Sequence, residues 1–280
     1  MAKYLFTTIC YLVLLVCSES AGQSPDAEEL LKQGEELLAK EQFAEVVKLL
    51  GEVEVEGQQE IKLRLTLGRA YMGLGLAQEA LIQFSEILRR HPNHFEANLG
   101  RAEALIGLGD GKKASGNAQL ATALEPNDPR GWVLLGRALE HPTVQKYAEA
   151  EEAFRKAVEL KSDNREGVLG LARALNYQKK VEAAAGVLEK WHADHPQDIR
   201  AELKLAEAYY ALKKLEPAEK MVRGILQREP DNQDAQRLLE GISFRRGFRL
   251  WVLVIAAVVV PFFFILTRLF RRGRRPRIKE

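Results

Sequence analysis

LGRAYMGLGLAQEALIQFSEILRRHP, residues 67–92, holds a small residue among large ones, a second group of apolar residues one helix later, and a closing proline. Leu67, Gly68 and Tyr71 fall on one helical segment, Ala80 and Phe84 on the next, and Pro92 ends it. Proline stops a helix because it lacks an N–H and restricts the residue before it. A glycine inside a helix costs about 1 kcal/mol relative to alanine, so Gly68 needs a packing reason. Close approach of two helices in a hairpin supplies that reason, with the large residues filling the space around it.

The frame repeats along the chain. It returns as Trp132, Leu135-Gly136, Leu139, Ala150, Phe154 and Ser162, and again as Leu205-Ala206, Tyr209, Ala218, Val222 and Pro230. Weaker copies run through Ala102, Leu105, Ala114, Ala118 and Pro126, and through Leu171-Ala172, Leu175, Ala184, Leu188 and Pro196. Gly34, Leu37, Val46 and Leu50 form a degenerate first copy. The small residues Gly34, Gly68, Ala102 and Gly136 are 34 apart, Ala172 follows after 36, and Ala206 after 34. The two extra residues are expected near His141-Pro142-Thr143, in the loop between the helices of the fourth copy.

These residues and their period resemble the tetratricopeptide repeat, which carries a Trp, Leu-Gly, Tyr, Ala, Phe and Pro frame every 34 residues. The resemblance covers residues 27 to about 232 in six copies. Ser162 and Gln58 replace the expected proline in the fourth and first copies. The expected fold is all-α: a right-handed α-solenoid of six hairpins plus a capping helix from about Gln233 to Arg246, followed by one transmembrane helix. The expected divisions are a signal peptide or N-terminal anchor at 1–22, a repeat domain at 23–244, a span at 248–268 and a basic tail at 269–280.

The ends of the chain set the membrane expectation. Lys3 precedes an apolar stretch from Tyr4 to Cys17, followed by Ser18, Ser20, Ala21 and Gly22, which is the layout of a secretory signal. Both cysteines, Cys10 and Cys17, lie within it, so cleavage leaves no cysteine. Residues 250–266, LWVLVIAAVVVPFFFIL, contain thirteen Leu, Ile, Val or Phe and no charge. Their summed insertion energy is about −4 to −8 kcal/mol. Seven basic residues follow the run and three precede it, so the C-terminus is expected in the cytoplasm and the repeats outside. The absence of any Asn-x-Ser/Thr site favours a periplasm as that outside. The tail is expected to lie against anionic lipid.

Net charge is +2, but residues 245–280 carry +9 and residues 23–244 carry −7. An acidic body argues against nucleic acid as a partner. No phosphate loop, nucleophile elbow or metal-ligand cysteine cluster occurs, so no catalytic residue, cofactor or metal is expected. The histidines His91, His94, His192 and His195 have ligand-like spacing, yet each pair sits where a second helix ends, and capping is the expected role.

Function is expected on the face of the first helices. What the resemblance implies there is an aliphatic row, Leu31, Leu65, Leu99, Val133, Leu169 and Leu203. Four residues later comes a charged row, Glu35, Arg69, Glu103, Arg137, Arg173 and Glu207. Lys62, Arg130, Asn176, Tyr177 and Tyr210 are expected nearby. Such a groove suits a protein or peptide ligand with acidic side chains; the same rows are equally those of packed aliphatics under a solvated, sign-alternating face. One subgroup of the family holds chaperone C-termini through Lys and Asn. The matching places here are Leu65, Arg69, Leu99 and Glu103, so that mode is not implied. The expected function is a membrane-anchored interaction scaffold on the periplasmic side. The alternatives are a tail-anchored, cytosol-facing adaptor on an organelle membrane and an auxiliary subunit of a membrane enzyme assembly.

Overall fold

The computed structural model describes residues 27–254, together with 257 and 262–264. Two compact units divide the chain, Met1–Ser162 and Asp163–Glu280. The first contains four hairpins: α1 (Ala27–Ala39) with α2 (Phe43–Leu50), α3 (Gln58–Gly73) with α4 (Ala77–Arg90), α5 (Phe95–Gly107) with α6 (Gly111–Leu124), and α7 (Pro129–Glu140) with α8 (Tyr147–Leu160). The second contains two, α9 (Arg165–Tyr177) with α10 (Val181–Asp194) and α11 (Ile199–Ala211) with α12 (Leu215–Arg228), then the long α13 (Gln233–Val254). Within each unit every helix packs on the next. First helices also touch the following first helix, as α1 does α3, α3 does α5, α5 does α7 and α11 does α13.

The packing role of the glycines is visible in the cores. A Cβ on Gly34 would lie 2.5 Å from Leu50, one on Gly68 2.6 Å from Phe84, and one on Gly136 2.7 Å from Phe154. Phe84 and Phe154 are fully buried. Phe84 also faces Gly100 of the next hairpin, where an added Cβ would come within 2.4 Å of the ring. One ring therefore locks its own hairpin and the one after it.

Helix ends repeat as faithfully as the cores. Pro92, Pro126, Pro196 and Pro230 each stand two residues beyond the last helical residue of α4, α6, α10 and α12. The next first helix is then capped by a side chain that accepts a backbone N–H: His94 from Ala97 (3.3 Å), Asp128 from Arg130 (2.8 Å), Asn164 from Gly167 (2.9 Å), Asp198 from Ala201 (3.2 Å) and Asn232 from Ala235 (3.0 Å). His91 and His195 are the residues that end α4 and α10, and His192 lies in the last turn of α10. His94 thus caps the start of a first helix rather than the end of a second one.

Inside the hairpins, five of the six turns are three residues long and share one geometry. In the second, Leu76 N–H donates to Tyr71 carbonyl (2.9 Å) and Gly75 N–H to Met72 carbonyl (3.0 Å), the pattern of a left-handed helix cap. Gly75 has φ +74° and Gly109 φ +82°, while the equivalent places hold Lys179 at φ 63° and Lys213 at φ 62°. An L-residue there loses about 1–2 kcal/mol to steric strain, offset by glycine's larger entropy in the unfolded chain. Lys179→Gly and Lys213→Gly are each expected to raise stability by about 0.5–1 kcal/mol, and Gly75→Ala to lower it by about 1 kcal/mol. Urea unfolding midpoints read the difference; a loss of stability in both lysine variants would refute this account of the turn.

The fourth hairpin contains the expected insertion. Its turn, 141–146, is six residues long, and His141 Nδ1 and Thr143 Oγ1 are hydrogen-bonded within it at 2.9 Å. The degenerate first copy differs at its other end, since α2 has 8 residues where later second helices have 14.

The expected transmembrane helix is corrected. Among the described residues no helix is long and apolar enough to cross a membrane. The helix that enters the apolar run is α13, which begins at Gln233 and runs unbroken to Val254, past the expected end of the cap at Arg246. It carries Asp234, Arg237, Glu240, Arg245, Arg246 and Arg249, charges that a bilayer core tolerates poorly. The expected span at 248–268 and the single-pass, periplasm-facing localisation built on it are corrected together. Residues 255, 256, 258–261 and 265–268 of that stretch, the expected signal at 1–22 and the basic tail at 269–280 lie outside the described residues.

Candidate functional site

In the first unit, the face of α3, α5 and α7 is a network of ion pairs over a nearly closed aliphatic layer. Leu99 and Val133 are buried and Leu65 is half-buried, so this row packs hairpin against hairpin. Above it, Lys62 Nζ meets Glu35 at 3.0 Å, and Arg137 meets Glu103 at 3.5 Å. Glu96 is the centre of the network: one carboxylate oxygen accepts from Arg69 and the other from Arg130, both at 2.7 Å. Arg130 also donates to Asp128 at 2.7 Å, and its guanidinium lies 5.3 Å from the Phe95 ring centroid.

Burial pushes the Glu96 carboxyl up, and Arg130 and Arg69 more than reverse this, so it sits below the ordinary glutamate value. Asp128 follows the same pattern, raised by burial and lowered further by Arg130. The hydrogen bonds to Asp128 and Glu96 in turn hold the Arg130 pKa above its usual value. The cations expected to await an acidic peptide are thus already paired within the fold. Arg69, Arg130, Arg137 and Lys62 nevertheless keep between 37% and 54% of their side-chain surface open to solvent.

In the second unit, α9 contributes Leu169, Arg173, Asn176 and Tyr177, and α11 contributes Leu203 and Tyr210. Leu169 and Leu203 are buried, Arg173 is half-buried, and Asn176 and Tyr177 are exposed. Tyr210 is held by α13: the Arg245 guanidinium lies 4.1 Å over its ring and donates to its carbonyl at 2.8 Å. The Tyr210 hydroxyl donates to Gly241 carbonyl at 3.4 Å. Tyr210 therefore secures the last helix to the hairpin beneath it.

The second unit also has an open cleft of about 940 Å³ at the ends of its helices. Of the expected row it includes Leu203 alone. Its centre is Asp198, which accepts from Arg165 Nε and Nη2 (2.9 and 2.8 Å), from Trp191 Nε1 (2.9 Å) and from Ala201 N–H. Burial raises the Asp198 pKa, and Arg165, Trp191 and Ala201 together lower it below the aspartate norm. The His195 ring stacks on Trp191 at 3.9 Å, and its Nε2 lies 3.2 Å from Asp163. Neither Glu96 nor Asp198 was expected as a site residue. Their signal was an Asp, Asn or His recurring at 94, 128, 164, 198 and 232, with Glu96 two residues past the first. Among the described residues no group of three or more His, Cys, Asp or Glu is arranged to hold a metal.

A hairpin frame on a 34-residue period, with matching caps and turns, defines a class. The model of the tetratricopeptide repeat matches residues 65–115, and that of the cytochrome c-type biogenesis protein H TPR domain matches residues 118–235. The chain belongs to the tetratricopeptide repeat family. In solved structures it is similar to a tetratricopeptide repeat protein of Parabacteroides merdae, with 19% identity, a TM-score of 0.64, and coverage of 79% of this chain and 86% of that one. It is similar also to residues 41 to the end of MamA from Desulfovibrio magneticus, with 23% identity, a TM-score of 0.54, and coverage of 63% and 99%. Both likenesses concern the fold. By sequence it is 28% identical over 125 residues to the protein O-mannosyl-transferase Tmtc3 of Drosophila melanogaster, across 44% of this chain and 14% of that protein's length.

Proposed function

We propose that the chain is a non-catalytic scaffold that holds a partner polypeptide with acidic side chains against the first-helix faces of its hairpins. The observation that carries this reading is the Arg69–Glu96–Arg130 arrangement, in which guanidinium groups from the second and fourth hairpins already grip a carboxylate of the third between them. Exposed ion pairs of this kind are worth about 0–1 kcal/mol each, so a partner carboxylate can exchange into them at small cost. Arg137 continues this row in the first unit, and Arg173 holds the equivalent first-helix position in the second unit. The similarity to an O-mannosyl-transferase spans 14% of that protein, and its activity is not carried over.

The test is capture of partners by the full chain with crosslinking and identification. Reversing Arg69, Arg137 and Arg173 to Glu is expected to abolish capture with helicity unchanged, and undiminished capture would remove this face from consideration. Within the scaffold reading, the match to the biogenesis protein H domain favours a partner from c-type cytochrome assembly. The identity of the crosslinked protein decides that point in the same experiment.

A further inference from the structure

We propose that the cleft of the second unit docks a basic segment of a partner polypeptide, its cations on a carboxylate rim and an intervening apolar side chain on the Trp191 and Leu203 floor. This surface shares only Leu203 with the row of the acidic-partner face and does not depend on the arginines of that face.

The floor is apolar: Trp191 and Leu203 are buried with a small open area, and Ile199 is half-buried beside them. The rim is acidic. Asp163, Asp194, Glu229 and Asp234 are all exposed, and with Asp198 they give five carboxylates against two lining guanidinium groups, Arg165 and Arg200, with His195 3.2 Å from Asp163 and Arg237 3.5 Å from Asp234. Arg165 is paired with Asp198 through two hydrogen bonds, and Arg200 lies 3.8 Å from Glu166. At about 940 Å³ the cleft suits a short peptide segment, at the upper end of ordinary ligand sites.

An anion is the natural rival, because α9, α11 and α13 all begin at this edge and helix N-termini attract negative charge. At each of those N-termini a side chain already accepts one N–H, Asn164 that of Gly167, Asp198 that of Ala201 and Asn232 that of Ala235, and the carboxylates of Asp198 and Asp234 stand beside the remaining ones and repel an anion. By contrast α10 and α12 end at the same cleft, at His195 and Glu229, and the carbonyls of a last helical turn favour cations. The rim charge and the two helix C-termini agree on a cationic occupant.

The test uses the full chain and two fluorescein-labelled peptides, Gly-Lys-Leu-Arg-Gly-Lys-Leu-Arg and its counterpart with Glu at each basic place, followed by anisotropy. The basic peptide is expected to bind and the acidic one not to bind at this cleft. The combined variant Asp194→Asn, Glu229→Gln and Asp234→Asn is expected to weaken basic-peptide binding about tenfold, since three exposed pairs at a fraction of a kcal/mol each sum to that factor. Circular dichroism confirms that the variant is folded. The Arg69, Arg137 and Arg173 reversals should leave basic-peptide binding in place, which separates this proposal from the acidic-partner face. Equal affinity of the neutralised variant, or binding of the acidic peptide that the neutralised rim enhances, would overturn it.

Discussion

Phe84→Ala is expected to destabilise the first unit by about 3–5 kcal/mol, near the top of the range for a single buried aromatic. The ring is 1% exposed and wedged between Gly68 and Gly100 of neighbouring hairpins. Neither glycine has a side chain that can move into the space, so the cavity stays open. Urea unfolding followed by circular dichroism measures the loss. A second arm tests the cause: Gly100→Ala in the wild-type background should itself destabilise, because its Cβ would lie 2.4 Å from the ring. In the Phe84→Ala background the same change should recover part of the stability by filling the void. Additive losses would mean that the ring does not couple the two hairpins.

Asp198→Ala is expected to cost the second unit about 2–4 kcal/mol. It removes a helix cap and leaves the N–H of buried Trp191 without its acceptor. Asp198→Asn keeps an oxygen for Ala201 but places an NH2 where Oδ2 accepts from Trp191 Nε1 and Arg165 Nε, so it retains the helix cap while losing those bonds and the charge. The pH dependence has a definite sign. The folded aspartate is depressed below its unfolded value, so its contribution is present above that value and disappears as pH falls through the folded pKa. The gap between wild type and Asp198→Ala should therefore be full near pH 7 and shrink below about pH 4. A gap that widened on acidification would show that Asp198 is stabilising in its protonated form.

Much of the fold was legible because it rests on short-range rules that sequence displays directly. Gly68 and Gly136 announce close helix contact, the prolines announce helix ends, and the step of 36 residues between Gly136 and Ala172 locates the longer turn. The charged row was legible as residues but not as partners. Glu96 lies 27 residues from Arg69 and 34 from Arg130, and only the stacking of α3, α5 and α7 brings the three together. Tyr210 shows the same limit, since its cover comes from Arg245 on α13, 35 residues away. The apolar run at 250–266 misled for a different reason. Local hydropathy marks the run, but the helix that reaches it belongs to the repeat array and carries charge along its length.

The left-handed residues of the six turns, Glu41, Gly75, Gly109, Gln145, Lys179 and Lys213, advance by 34 except across the fourth hairpin, where the step is 36. The count resumes at 34 immediately afterwards. Each hairpin thus sets its own phase through its local stops, like a ruler marked afresh at every division. A slip in length is absorbed in the turn where it occurs and is not passed to the hairpins downstream.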